Sequence, residues 1–239
     1  MNDIIKIQLF GEAFEICSAR CESEIAEKLN MDSNGAKVFI LPSLTADFKI
    51  RAYDSMKKEC AEYYAAALTA AAFLIYKRGL PLSEINFETL HGNVRVFCTG
   101  NRALKVRLDK CKLLLSAEKE LQGCIVNYND LFLARKIRAI HSEGENLFKE
   151  ENLSGFVMPD SEFPSAVIMS STRENVLLMK SYRDFTKIFV SSLLLWCCAA
   201  YNEAIVARRP VSRFEVSEYS ASLEVAFSSV TVEVSPIIL

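Results

Sequence analysis

The sequence has little glycine, little proline and almost no net charge. Its 239 residues include 8 Gly and 6 Pro, which excludes collagen-like and linker-rich chains. The formal net charge of −2 argues against a nucleic-acid-binding protein, because no excess of basic side chains would neutralise phosphates. The scarcity of glycine also bears on function, since many active sites need backbone conformations that glycine adopts most easily.

A secretory signal, a metal-ligand cluster and a membrane span are also missing from the pattern. The chain begins Met1-Asn2-Asp3, without the basic and then apolar run of a signal peptide. Its 8 cysteines follow no framework spacing and its 2 histidines form no ligand pair, so we expect free thiols, a cytoplasmic location, no metal and no cofactor. The most apolar stretch, Ile188 to Ala200, is shorter than the ~20 residues that cross a bilayer.

What the sequence does contain is enough apolar material, 51% of its residues, for a large core. Two segments are apolar nearly all round and predict buried helices: Ala61 to Tyr76, which ends at Gly79, and Val190 to Ala207, which ends near Pro210. Alternation of apolar and polar residues predicts strands. These strands cover residues 5–10, 12–16, 37–41, 50–54, 86–89, 94–98, 104–108, 179–183, 213–216, 222–227 and 230–234.

The order of these elements indicates an internal duplication. The spacing from Tyr53 to Tyr182 is nearly the same as that from Phe87 to Phe214. We therefore predict an α/β (α+β) fold of two duplicated halves, residues 1–115 and 116–239, each a curved, mainly antiparallel sheet around its apolar helix. Residues 130–137 and 143–151 are predicted as helices or a crossover between the halves, and function is expected at the interface between halves.

Two such halves resemble diaminopimelate epimerase and its cofactor-independent racemase relatives. The match runs from Phe48 to Leu108 and again from Asn175 to Pro236. The resemblance implies inversion at an α-carbon by an acid and a base on opposite faces of the substrate. In that family both are cysteines at the starts of the two central helices, where a Gly-rich turn holds the substrate carboxylate.

Placed on this sequence, the family's catalytic pattern is largely absent. The two cysteine positions fall on Tyr64 and Ser191, and the first Gly-Asn-Gly turn falls on Ala65-Ala66-Ala67. The resemblance retains Arg183 as a ligand of the substrate carboxylate, although an exposed structural arginine explains it at least as well, and it suggests Asn129 as a second binding residue.

Relocated chemistry is an alternative to lost chemistry. Cys60 lies about one turn before Tyr64 and is a candidate base, although an ordinary helix residue explains it better. Tyr64 and Ser191 could form a hydroxyl acid–base pair, but no His or Lys is placed to activate a serine. The alanines favour a longer first helix that starts near Asp54, with Asp54 as its N-cap, and that extra turn would fill the anion site.

Three functions follow as hypotheses. The first is a divergent diaminopimelate-epimerase-like protein without two-cysteine racemase activity, which keeps the scaffold for binding a small amino-acid-like molecule or for another role. The second is an active, cofactor-independent amino-acid racemase or epimerase with relocated acid and base residues. The third is a structural or protein-interaction homodimer. We expect no nucleic-acid or membrane partner, and the chain is predicted to be a monomer or a homodimer.

Overall fold

The computed structural model describes residues 4–30, 35–55, 57–60, 63–100, 102–108, 112–116, 123–128, 131–135, 152–157, 166–173, 175–183, 193, 196–197, 200, 204, 211–226 and 229–239. Between 112 and 173, and from 178 to 183, it describes the strands' backbone alone. The chain forms two compact units. Unit 1 comprises Met1–Arg107, Ser191–Leu193 and Glu233–Leu239, and unit 2 comprises Leu108–Val190 and Leu194–Val232.

Strands dominate the described structure. In chain order they are β1 (Ile5–Leu9), β2 (Glu12–Ser18), β3 (Ala36–Leu41), β4 (Phe48–Tyr53), β5 (Glu84–Thr89), β6 (Gly92–Gly100), β7 (Ala103–Leu108), β8 (Lys112–Ser116), β9 (Gly123–Tyr128), β10 (Leu131–Arg135), β11 (Asn152–Val157), β12 (Ala166–Arg173), β13 (Val176–Arg183), β14 (Ser212–Val216), β15 (Ala221–Ala226), β16 (Ser229–Val234) and β17 (Ile237–Ile238). The helices are α1 (Glu22–Leu29) and α2 (Tyr64–Ala72), which continues as a π-helical turn (Phe73–Lys77), and a 3₁₀ turn spans Ser217–Tyr219. The predicted mixed α and β fold class is confirmed.

In unit 1 the strands pair in the order β17-β1-β2-β3-β4-β5-β6-β7, mainly antiparallel. The two parallel pairs, β2 with β3 and β4 with β5, each enclose a helix in the connection between them. Parallel neighbours need such a crossover because a tight turn cannot join them. Helix α1 therefore follows β2, and helix α2 follows β4.

Helix α2 forms the core of unit 1. Every residue of α2 except Tyr64 is buried, and the helix contacts β1, β2, β3, β4 and β6. A helix without a polar face has to be covered on all sides, which five surrounding strands achieve. The predicted end at Gly79 is confirmed, since Gly79 has φ +70° and the N–H of Leu80 bonds back to the carbonyl of Leu74 at 3.1 Å.

Helix α1 covers the opposite face of the same sheet. Its Ile25 packs with a second small cluster that includes Cys17, Phe39 and Leu41, and Tyr53 borders it. The sequence did not predict this helix, because its eight residues carry one buried side chain, too few for a clear apolar periodicity. The sheet of unit 1 is thus covered by α2 on one face and by α1 on the other.

In unit 2 the strands pair in the order β8-β9-β10-β11-β12-β13-β14-β15. The β13–β14 pair is parallel and the others are antiparallel. Residues 193, 196, 197, 200 and 204 of the predicted second helix are helical and buried, and Trp196 contacts Tyr219 edge-on at 5.9 Å between ring centroids.

Two sequence predictions about helices are wrong. Residues 131–135, within the predicted helix 130–137, form strand β10, paired with β9 and β11; sheet pairing outweighs the helix preference of the Leu, Ala and Arg residues there. The first apolar helix begins at Tyr64 and not near Asp54. The predicted helix 143–151 lies outside the described residues, and the boundary between residues 115 and 116 stays a prediction.

Candidate functional site

The connection between β4 and α2 replaces the helical turn that the alanines favour. The side chain of Asp54 is buried, and its Oδ1 accepts a 2.8 Å hydrogen bond from the N–H of Lys58. The N–H of Asp54 also donates to the carbonyl of Lys58 at 2.9 Å. Asp54 thus caps a tight loop and not a helix, which corrects the predicted N-cap.

After this loop the chain returns along β4 before the helix begins. The N–H of Cys60 donates to the carbonyl of Ala52 at 2.8 Å, and Glu59 forms an isolated antiparallel bridge with Tyr53. Cys60 is therefore a buried loop residue, 6% exposed, whose backbone pairs with strand β4. It is not the helix residue that the sequence predicted. Backbone pairing keeps Cys60 itself out of the helix, which begins at Tyr64.

The start of α2 carries a hydrogen-bonded cluster of three side chains. Oε1 of Glu59 accepts a bond from Nη1 of Arg51 at 2.8 Å and another from the hydroxyl of Tyr63 at 2.7 Å. Tyr63 is the N-cap residue of α2 and is buried, 3% exposed. Its ring contacts the ring of His91 edge-on, with centroids 6.1 Å apart.

The electrostatics of the cluster fix its protonation states. Burial, followed by the hydrogen bond to Glu59, raises the pKa of Tyr63 far above its ordinary value. Burial lowers the pKa of Arg51, but the nearby carboxylates of Glu59 and Glu22 outweigh burial and raise the pKa above its ordinary value. Tyr63 therefore remains a neutral hydrogen-bond donor and Arg51 remains a cation, so neither can act as a general base near neutral pH.

A row of alternating charges extends from this cluster across the outer face of unit 1, which is the face of the sheet that α1 covers. Arg51 lies 3.2 Å from Oε1 of Glu22 in α1, and Lys49 lies 2.8 Å from the same oxygen. Lys49 also lies 3.8 Å from Glu88, whose other oxygen accepts bonds from the hydroxyls of Ser43 and Thr45. Hydrogen bonds chiefly from Lys49 to Glu22, and from Ser43 to Glu88, hold the pKa values of both carboxyls below their usual range.

The predicted site residues are only partly within the described chain. Tyr64 is the first residue of α2 and is half-buried, and Cys60 is buried in the loop before it. Arg183 is the last residue of β13, paired with Ala166 of β12; its side chain lies outside the description. Ser191 and Asn129 are also outside the described residues, so their roles stay predictions.

Ala65, Ala66 and Ala67 fill the first turn of α2 and are at most 2% exposed. The N–H of Ala67 bonds to the carbonyl of Tyr63 at 2.8 Å, as in a regular helix. The first turn of α2 is therefore helical, and its three methyl groups are buried.

Sequence reasoning missed the roles of Arg51, Glu59 and Tyr63. One signal was present: alternation along β4 places Ile50 and Ala52 on the buried face and Arg51 on the other. No spacing in the sequence shows that Glu59 and Tyr63 meet Arg51, because the contact depends on the loop reversal. Among the residues that the structure describes, no cluster of His, Cys, Asp or Glu could hold a metal ion, and no helix is long and apolar enough to cross a membrane.

Solved structures match this chain over almost its entire length. A phenazine biosynthesis protein of the PhzF family from Enterococcus faecalis matches with a TM-score of 0.65 and 11% identity, covering 100% of this chain and 97% of that chain. This chain has the fold of that structure and of the two structures that follow. A hydroxyproline epimerase from Agrobacterium vitis, with bound trans-4-hydroxy-L-proline, matches with a TM-score of 0.54 and 11% identity over 99% of this chain and 90% of that one. A probable proline racemase from Agrobacterium radiobacter matches with a TM-score of 0.54 and 11% identity over 100% and 91%.

Sequence comparison adds nothing to this likeness, since no family model and no curated protein sequence matches the chain. At 11% identity the likeness establishes the fold alone, because one fold can support unrelated chemistries. The predicted resemblance is therefore confirmed at the level of the PhzF and proline racemase fold, and the closer relation to diaminopimelate epimerase stays a prediction.

Proposed function

We propose that this protein keeps the scaffold of the PhzF and proline racemase fold without two-thiol racemisation, and that it uses the scaffold to bind a small amino-acid-like molecule. The observation that supports this most directly is the start of α2. The thiol expected from the family resemblance is replaced by Tyr64, and the glycine turn by three buried alanines.

The chemistry of the neighbouring groups supports the same proposal. Removing an α-proton from an amino acid needs a base placed against the substrate. Tyr63 stays protonated, since its pKa is raised by burial and by the bond to Glu59. Cys60 lies in the loop before α2 and is 6% exposed, with its backbone bonded to β4. In the described part of unit 1, the start of α2 thus offers no accessible thiolate.

The proposal includes the predicted duplication. In unit 1 the run β3-β4-β5-β6 pairs as antiparallel, parallel, antiparallel, and in unit 2 the run β12-β13-β14-β15 pairs in the same way. The parallel pairs join Phe48 to Phe87 and Val176 to Glu215, which have the same separation along the chain. Chance would not readily give both the same pairing order and the same separation.

Exchange of the α-hydrogen with solvent deuterium tests the catalytic part of the proposal. The protein is incubated in D₂O with a panel of L- and D-amino acids that includes proline and trans-4-hydroxyproline, with a proline racemase as the positive control. We expect no exchange above the protein-free rate. Exchange that disappears in Cys60→Ser or Tyr64→Phe would instead establish the second hypothesis, an active isomerase with a relocated base.

Thermal unfolding with the same panel tests the binding part. A ligand that binds only the folded chain at 100 times its Kd adds about 2.7 kcal/mol to the free energy of unfolding. A panel member that raises the melting temperature in a saturable way supports the proposal. If no member does so and light scattering gives a dimer mass, the third hypothesis of an interaction homodimer replaces it. A cytoplasmic location remains part of the proposal.

A further inference from the structure

Two hydrogen-bond donors on different elements converge on one carboxylate oxygen at the start of α2. Nη1 of Arg51 and the hydroxyl of Tyr63 lie 2.8 Å and 2.7 Å from Oε1 of Glu59. A guanidinium and a hydroxyl directed at the same oxygen form a typical arrangement for recognising a carboxylate. The carboxylate in this arrangement belongs to the protein itself.

The two donors are held independently of Glu59. Arg51 lies in β4, where it pairs with Phe39 of β3, and its Nε also contacts Glu22 of α1 at 3.2 Å. Tyr63 precedes the first residue of α2, and its ring is buried and packed against His91. Removal of the Glu59 side chain would therefore leave both donors in place, facing the vacated position.

Glu59 itself is held by a short loop. The loop reverses at Lys57, which has a left-handed φ of +64°, a conformation that costs energy for a residue with a side chain. The side chain of Glu59 is 30% exposed and that of Arg51 is 18% exposed, so water and small ions reach the pair. An ion pair that water reaches is weaker than one in a dry interior and is screened by salt.

We propose that Arg51 and Tyr63 form a binding site for a small carboxylate, which Glu59 occupies as an intramolecular competitor. Glu59 and Cys60 then act as an autoinhibitory latch: an external carboxylate replaces the Glu59 side chain, and the backbone contacts of Glu59 with Tyr53 and of Cys60 with Ala52 open. This proposal goes beyond the proposed function, since it concerns the outer face of unit 1 and needs no chemistry at an α-carbon.

Chemical rescue tests the site. The Glu59→Ala variant lacks the atoms beyond Cβ, which together correspond to one acetate ion. We expect sodium acetate to raise the melting temperature of Glu59→Ala in a saturable way, half-maximal in the millimolar range, at an ionic strength held constant with sodium chloride. Adding Arg51→Gln or Tyr63→Phe to this variant should abolish the rise.

Glu84→Ala is the matched control. Glu84 pairs with Arg95 at 3.0 Å on the same unit and is 43% exposed, but no hydroxyl is bonded to it in the described structure. An equal effect of acetate on Glu84→Ala, or no saturable effect on Glu59→Ala, would overturn the proposal. Glu59→Gln, which fills the site with a neutral group of the same shape, should show no rescue.

A second measurement uses the unmodified protein, so that it does not depend on how well the variant folds. Cys60 lies in the latch, whereas Cys17 lies in β2 and is similarly buried, 7% exposed. We expect acetate to accelerate alkylation of Cys60 by iodoacetamide at least several-fold relative to Cys17, as mapped by peptide mass spectrometry. An unchanged ratio of the two rates would contradict displacement of Glu59.

Discussion

The replacement of Ala67 by glycine tests whether the first turn of α2 is a packed helix and not a glycine turn. Ala67 is fully buried, and its N–H bonds to the carbonyl of Tyr63 at 2.8 Å. In a packed helical turn, glycine should weaken the helix. At a position that still favoured a glycine turn, the same change should be neutral or stabilising.

Two effects determine the size of the change. Glycine in a helix interior costs about 1 kcal/mol relative to alanine, and removing one buried methyl group costs about 0.8 kcal/mol. We therefore expect Ala67→Gly to lower the free energy of unfolding by about 2 kcal/mol. The control is Ala26→Gly in α1, where the alanine is exposed, so that only the helix-propensity cost of about 1 kcal/mol applies.

Native-state hydrogen exchange is the appropriate assay. The chain has 1 tryptophan, Trp196, which lies outside α2. Amide exchange within 65–72 reports directly on opening of the helix. Because 1.4 kcal/mol corresponds to a factor of ten, we expect the amides of α2 to exchange about 30-fold faster in Ala67→Gly, and the amides of α1 about 5-fold faster in Ala26→Gly. Equal or smaller acceleration in Ala67→Gly would refute the packed helical turn.

Three further predictions concern charge and backbone strain. The raised pKa of Tyr63 means that the unfolded chain loses this proton near pH 10 while the folded chain keeps it. The free energy of unfolding, measured by urea titration, should therefore fall above pH 10. The fall should be less steep in Tyr63→Phe. The lowered pKa of Glu22 stabilises the fold above pH ~4.3, and this contribution is lost as the pH falls further; Lys49→Met should reduce the loss of stability between about pH 5 and 3. Gly79→Ala should cost about 1 kcal/mol in thermal unfolding, since the residue has φ +70° and an added Cβ meets no atom within 4 Å; a neutral result would contradict the left-handed conformation.

Strand β5 of unit 1 could be predicted because it has one buried and one more exposed face. Along β5, buried Ile85 and Phe87 alternate with half-buried Asn86 and Glu88, and period-two alternation marks such strands. Strand β10 could not be predicted in this way. Its sequence Leu-Phe-Leu-Ala-Arg lacks alternation, and its strand state depends on pairing with β9 and with β11, which is more distant in the sequence.

The length of α2 shows how tertiary contacts limit a local preference. The alanines from Ala65 onward favour a helix, and the sequence alone extends it back to Asp54. In the structure, the carboxylate of Asp54 bonds to the N–H of Lys58, and the N–H of Cys60 bonds to Ala52. Those two bonds are incompatible with the i to i−4 pattern of a continuous helix, so the helix begins only at Tyr64.

The loop before α2 also explains why the candidate site could not be identified from the sequence. Arg51, Glu59 and Tyr63 belong to a strand, a loop and a helix cap, and they meet because the chain reverses at Lys57. A glycine at that left-handed position would have marked the reversal, but the sequence has Lys there. The scarcity of glycine therefore hides the turn at Lys57, just as alanine stands at 65–67, where the family resemblance predicts a glycine turn.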